Sequence, residues 1–344
     1  MSNFSPSPQY RDQAPYATGV LLVNSGTPDS LTTPGVRRFL RYLLRDRRTI
    51  EVSRAIWCWI LYLGILPLRP MHVVPKYRRV WTPEGSPLAV ISARLRTALE
   101  AALSARSGEP VAVELGMLYS SPDVATGLAR LRERGAQRIV VLPLFPQYSG
   151  TTTAAAYDQV GRALRDWRFV PELHYVLDYA VDAHFIDAIA ASIATHRAAQ
   201  PDGEHLLMSF HGIPASYVAN GDPYERKCRA TAAAIARRLG LADDAWSLSF
   251  QSRVGRARWL GPYTEGVVKA LAARGIRRLD VVCPGFAIDC LETIDEVGVE
   301  AAETFHAAGG EQLRYIPALN DSAAHVDVLA ALVALVAPYA RQHS

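Results

Sequence analysis

The sequence predicts an α/β protein built from two similar domains, each with a parallel sheet, and three observations carry that expectation. Short apolar runs bounded by turn residues alternate with longer helical patterns, which is the sequence sign of βαβ units. The pattern runs to about residue 199 and restarts at 205. Two stretches also recur: G-V-L-L-V-N-S-G-T-P matches H-L-L-M-S-F-H-G-I-P, and R-G-A-Q-R-I-V-V-L-P-L-F matches R-G-I-R-R-L-D-V-V-C-P-G-F. The spacing between the paired stretches is much longer in the first half. The excess is read as an insertion forming a lip over a cleft between two facing domains.

Taken in order, residues 1–16 read as a polar, proline-containing arm with neither the basic start nor the apolar core of a signal peptide. Gly19 to Val23 is a strand ending in the turn-rich N-S-G-T-P-D. Helices are expected at about 32–46 and 52–66, followed by a loop-rich segment from Leu66 to Pro87 and a helix at about 87–106. Val111 to Met117 is strand-like. Ser121 is a plausible N-cap with Pro122 at the first helical position. Ile139 to Leu144 is a strand, followed by a helix to about Trp167, a weaker strand at Glu172 to Val176 and a helix over 182–199. The second half reads strand 205–210, helix 223–239, strand 246–251, helix 263–273, strand 277–282, helix 290–308, strand 312–316 and helix 322–337.

Composition narrows the class. Hydrophobic residues make up 49% and charged residues 20%, which suits a globular protein. The net charge of +4 comes from arginine, since Lys76, Lys227 and Lys269 are the only lysines. No basic run is long enough for a nucleic-acid surface. The four cysteines, Cys58, Cys228, Cys283 and Cys290, contain no C-x-x-C pair, which fits a reducing compartment. Ala55 to Leu68 is strongly apolar, but its fourteen residues fall short of the about 20 needed to span a bilayer. It is either a buried helix or an interfacial patch, so the chain is expected in the cytoplasm, in peripheral contact with a membrane at most.

Two stretches carry chemistry-bearing residues. In L-L-M-S-F-H-G-I-P, His211 follows an apolar strand and precedes the breakers Gly212 and Pro214, at the carboxyl edge where open α/β sheets place ligands. An imidazole there accepts a proton or ligates a metal near neutral pH, or is simply a hydrogen-bonded loop residue. In C-P-G-F-A-I-D-C-L-E-T-I-D-E-V-G-V-E, residues Glu292, Glu296 and Glu300 recur every four positions along one helix face. That row either serves cations or is a wet face behind a capping box of Asp289 and Glu292. There is neither a P-loop nor G-x-G-x-x-G, so nucleotide binding is not indicated.

Together these stretches resemble the ferrochelatase family over nearly the whole chain. The resemblance runs from L-L-V-N-S-G-T-P through Y-R-R-V-W-T-P-E-G-S-P-L, L-P-L-F-P-Q-Y-S-G-T-T-T and S-F-H-G-I-P to F-Q-S-R-V-G-R-A-R-W-L-G-P and C-P-G-F-A-I-D-C-L-E-T-I-D-E. It implies two Rossmann-like domains around a porphyrin cleft. One would cover 1–178 with a lip at about 37–86, joined by a C-terminal helix at 322–344. The other would cover 179–321. The implied reaction inserts Fe²⁺ into protoporphyrin IX and releases two protons. His211 and Glu292 fall on the catalytic and metal-contacting positions, and Glu296 and Glu300 become a candidate path for protons or metal. Ser25, Arg69, Tyr77, Ser86, Tyr148, Trp259 and Phe286 fall where the family binds porphyrin, and the Ala55 to Leu68 run falls on a lip that touches membranes.

Two departures matter. Cys290 stands where some members have a histidine beside the catalytic pair. Gly150 stands where cluster-bearing members have a cysteine, and the carboxyl end, P-Y-A-R-Q-H-S, has none. No [2Fe–2S] cluster and no tightly bound cofactor are expected. The competing readings are a coproporphyrin-specific or other tetrapyrrole chelatase, and a porphyrin or haem carrier without turnover.

Overall fold

The computed structural model describes residues 17–200, 202–255 and 257–337; the arm at 1–16 and the end of the chain at 338–344 lie outside these. The chain divides into two units. Unit 1 takes the residues up to Leu144, Gly150–Asp178, and those from Asp321 onward. Unit 2 takes Phe145–Ser149 and Tyr179–Asn320.

Unit 1 contains β1 (Thr18–Asn24), α1 (Thr33–Arg45), α2 (Arg54–Trp59), α3 (Leu66–Val80), α4 (Pro87–Ser107), β2 (Ala112–Met117), α5 (Val124–Glu133), β3 (Arg138–Pro143), α6 (Ala155–Leu164) and β4 (Glu172–Tyr175). Its sheet is parallel, in the order β2-β1-β3-β4. Unit 2 contains α7 (Ala183–Ala199), β5 (His205–His211), α8 (Ala215–Ala219), α9 (Tyr224–Arg238), β6 (Trp246–Gln251), α10 (Thr264–Ala273), β7 (Arg278–Val282), α11 (Ala302–Ala307) and β8 (Gln312–Ile316). Its sheet is also parallel, in the order β6-β5-β7-β8, so the second unit repeats the topology of the first. The last helix, α12 (Ala323–Val336), belongs to unit 1 and packs on α4.

The central strands are mostly apolar and almost wholly buried, as expected of parallel sheets covered on both faces. Val20 to Val23 and Leu206 to Met208 are fully buried. Each such side chain stabilises the fold by about 1.5–3 kcal/mol. The helix starts are set by short polar side chains: Thr32 accepts from the Gly35 N–H at 3.1 Å, Asp182 from Phe185 and Ser322 from His325.

Four local expectations are corrected. The segment after Leu66 is helical rather than loop-rich, and α2, a π-helical stretch Ile60–Ile65 and α3 form one continuous helix, Arg54–Val80. Proline normally breaks a helix because it removes an N–H and leaves the carbonyl four residues earlier unpaired. Here the carbonyl freed by Pro70 belongs to Leu66, and Arg37 Nε from α1 donates to it at 3.0 Å. The fourteen-residue apolar run therefore lies in a 27-residue helix that is long and apolar enough to cross a membrane. Only 17% of its most apolar stretch is buried.

The cap before α5 is Asp123 rather than Ser121. Its carboxylate accepts from Thr126 N–H at 2.8 Å, and Pro122, joined to Ser121 by a cis bond, precedes the helix. The helix after β3 opens with π-helical Gly150–Ala154 and ends at Leu164, short of Trp167. The expected helix at 290–308 is π-helical from Glu292 to Ala301 and becomes α11 only at Ala302.

Candidate active site

His211 is the last residue of β5, paired with Gln251 at the end of β6. The chain beyond it is zipped to the loop after β6. Gly212 N–H donates to Gln251 O at 2.9 Å, Ala215 N–H to Arg258 O at 2.9 Å and Leu260 N–H to Ile213 O at 3.0 Å. A Cβ on Gly212 would meet Gln251 O at 2.9 Å and the Trp259 ring at 3.3 Å, so this close approach requires glycine. The same zipper brings Trp259 beside the imidazole, with ring centroids 6.4 Å apart, and Phe286 stands 6.3 Å away.

The imidazole has a defined orientation. His211 Nδ1 lies 2.6 Å from the Gly212 carbonyl. A carbonyl only accepts, so Nδ1 carries the proton in the neutral ring and Nε2 presents its lone pair. That nitrogen is the one able to take a proton or touch a metal.

Gln251 ties this strand end to the glutamate-bearing segment. Its Nε2 donates to the Glu292 backbone carbonyl at 2.6 Å, and its Oε1 accepts from Ser209 Oγ at 2.7 Å. The next residue, Ser252, has a left-handed φ of 64° and donates from Oγ to the Glu296 carboxylate. A non-glycine residue in this region carries strain of about 1–3 kcal/mol, a cost usually tolerated at functional sites. Glu292, Glu296 and Glu300 are half-buried. In an α-helix four residues overshoot one turn, whereas in the wider π-turn they fall short. The three glutamates therefore stay in a row whose drift reverses.

The capping box is not formed. Asp289 instead accepts from Asn320 Nδ2 at 2.7 Å, from Thr293 Oγ1 at 2.9 Å and from the Tyr315 hydroxyl. The Asp289 N–H, the donor that Glu292 was expected to take, goes to Asn320 Oδ1 at 2.8 Å, and Thr293 Oγ1 takes the Cys290 N–H at 3.0 Å. With those donors satisfied by the Asn320 amide oxygen and the Thr293 hydroxyl, the Glu292 carboxylate is not committed to a cap.

The cysteines here are inert. Burial pushes the Cys290 thiol well above its ordinary range, and the Glu292 carboxylate beside it pushes further. Burial does the same to Cys283, with Asp289 and Glu296 adding to it. A protonated thiol is a poor metal ligand. Among the described residues, no group of three or more His, Cys, Asp or Glu converges as a metal cage.

The expected porphyrin residues are distributed over both units. Trp259 and Phe286 flank His211, and Tyr148 is half-buried in unit 2. The indole Nε1–H of Trp259 is shielded and has no acceptor among the described residues. In unit 1, Ser25 is half-buried after β1 and Arg69 is half-buried on α3. Tyr77 is buried edge-on against Trp81 at 6.3 Å, and the buried Ser86 hydroxyl bonds Thr27 Oγ1 at 2.8 Å. Sequence reasoning missed Gln251, Ser252 and the Asp289–Thr293–Tyr315–Asn320 cluster. A glutamine ending a buried strand, in F-Q-S, was the available signal for the first.

Comparison with known proteins shows the family and the fold. A protein-family profile described as Ferrochelatase matches residues 17–335. A protein named Ferrochelatase from Thioalkalivibrio sulfidiphilus is 50% identical, over 96% of this chain and 89% of its own. Another of that name from Aeromonas hydrophila is 48% identical, over 92% and 97%. Among solved structures, SirB from Bacillus subtilis with Fe³⁺ is similar in fold, with a TM-score of 0.55 at 13% identity, covering 93% of this chain and 96% of that one. The fold and sequence together establish that the chain belongs to the ferrochelatase family.

Proposed function

We propose that the chain inserts Fe²⁺ into protoporphyrin IX, giving protohaem and two protons, as the last step of haem synthesis. The observation that carries the reading is His211, whose committed Nδ1 leaves Nε2 as the base. Two pyrrole N–H protons must leave the macrocycle, and a neutral imidazole at a sheet edge is suited to accept them. Glu292 serves as the partnering carboxylate, taking a proton or a metal water, and Glu296 and Glu300 continue that path. Carboxylate oxygens suit a hydrated divalent ion that must exchange its waters. Trp259, Phe286 and Tyr148 supply aromatic surface for a flat apolar ligand. Ser25, Arg69, Tyr77 and Ser86 keep the porphyrin assignment that their motifs carry.

We also infer that the enzyme works in the cytoplasm without a tightly bound cofactor and rests on a membrane surface. Ile56, Trp59 and Leu63 on the first half of the long helix are 59–70% exposed, while Val74, Tyr77 and Val80 in its second half are buried in unit 1. A helix packed along one half lies on a bilayer rather than through it.

The test is anaerobic mixing of purified protein with Fe²⁺, or with Zn²⁺ as a surrogate, and each of protoporphyrin and coproporphyrin, followed by visible spectroscopy. Metalloporphyrin should form fastest with protoporphyrin. Insertion no faster than the uncatalysed rate would overturn the enzyme reading, and a preference for coproporphyrin would reassign the substrate.

A further inference from the structure

A cavity lies wholly within unit 1, at the carboxyl ends of β1 and β2. It has a volume of about 700 Å³, within the usual range for small-ligand sites. Its charge balance is uneven in a specific way. Each of the four carboxylates on its wall has work within the protein. Asp29 pairs with Arg38 at 3.5 Å and Asp158 with Arg48 at 2.9 Å. Asp123 caps α5, and Asp46 accepts from the Tyr119 hydroxyl and the Arg48 N–H. The guanidinium groups of Arg45, Arg47 and Arg54 line the same cavity and have no carboxylate partner among the described residues. Arg54 Nη2 donates to the Arg45 carbonyl at 2.7 Å, while its Nη1 is fully shielded and has no acceptor among the described residues. A buried donor left unpaired costs about 1–3 kcal/mol.

We propose that this cavity binds the phosphate group of a phosphate ester. Three guanidinium forks need more acceptor oxygens than one carboxylate presents, and arginine matches phosphate geometry through paired hydrogen bonds. Arg54 is also the first residue of the long apolar helix, whose Ile56, Trp59 and Leu63 are exposed. The ester is therefore either a soluble metabolite or the headgroup of an anionic phospholipid in a surface on which that helix rests.

The full-length protein and its Arg47→Gln, Arg54→Gln and doubly substituted variants would be tested in two ways. One arm measures sedimentation with phosphatidylcholine vesicles, with and without about 20 mol% phosphatidylglycerol, at fixed salt. The other measures glycerol phosphate by calorimetry and as a competitor of vesicle binding. Arg106→Gln removes the same charge at a residue that does not line the cavity, in the last turn of α4. The expected result is a loss of about tenfold or more in phosphate-ester affinity for the double variant, against little change for Arg106→Gln. Glycerol phosphate that binds and competes identifies a soluble ester, whereas a preference confined to phosphatidylglycerol vesicles identifies the headgroup. Arg47 is exposed, so its variant reads out binding even if Arg54→Gln unfolds. Wild-type protein indifferent to both ligands, or an Arg47→Gln or double variant that keeps its affinity, would overturn the site. Neither arm depends on metal insertion.

Discussion

The two units share one topology and differ in what they hang on it. In each, the first strand sits second in the sheet and ends in a turn with the pattern Gly-x-Pro, and a π-helical stretch follows the third strand. At the matched turn, unit 1 carries Ser25 and unit 2 carries His211. In the π-helical stretch, unit 1 carries Thr151 to Thr153 and unit 2 carries Glu292, Asp295, Glu296 and Glu300. The loops differ inversely: residues 25–111 separate β1 from β2 and hold α1, the long helix Arg54–Val80 and α4, while residues 212–245 separate β5 from β6. One scaffold thus carries ionisable side chains in unit 2 and a long surface helix in unit 1. Function follows the side chains at the strand ends rather than the fold.

The sharpest way to break this contrast is at the matched turn. His211→Ala should lower metal insertion by about 10²–10⁴-fold, the range for losing a general base, while Ser25→Ala should change it far less. Equal losses in the two variants would mean that the histidine holds no special role. Glu292→Gln keeps the backbone carbonyl that Gln251 holds but removes the charge, and should cost about 10²-fold in kcat. An unchanged kcat would shift the role to Glu296. Gln251→Leu leaves the Glu292 carbonyl and Ser209 without that partner; a stability loss of about 1–3 kcal/mol is expected from denaturant melts, with slower turnover.

In unit 1 the matching test concerns the surface helix. Arg37→Ala should cost about 0.5–1.5 kcal/mol in the wild-type background and much less in Pro70→Ala, where the backbone again supplies a donor to Leu66. Additive losses would show that the guanidinium does not replace the missing N–H. The smallest effect is in thiol chemistry. Cys58 is half-exposed, whereas Cys228, Cys283 and Cys290 are buried with their thiols held protonated. Only one thiol should react quickly with maleimide in the native protein. Since the buried groups ionise only far above neutrality, raising the pH to 9 should not expose a second.

Most of the fold was legible because parallel strands buried on both faces read as uninterrupted apolar runs, as in Val20 to Val23. His211 was legible for the same reason: a buried run ending at Gly212 marks a carboxyl edge. The π-helical stretches were not, since no local residue pattern distinguishes an i→i+5 turn from an ordinary one over ten residues. The long helix was misread at Pro70 because its missing donor is replaced from Arg37, thirty-odd positions earlier, which is a tertiary fact. Gln251 escaped notice because its neutral amide acts through the backbone of Glu292 and carries no charge signature.

The return of α12 to unit 1 has a consequence for the order in which the protein is made. Its Val326, Leu329 and Val333 are buried in that unit, and Asp321 and Asp327 pair with Arg94 and Arg106 of α4. Nearly all of unit 2 is one contiguous stretch, Tyr179–Asn320, and emerges from the ribosome before α12. Domains generally fold as units, with the N-terminal one first during synthesis. Here the unit translated first is the one completed last, and until α12 arrives the apolar face of α4 waits for its cover.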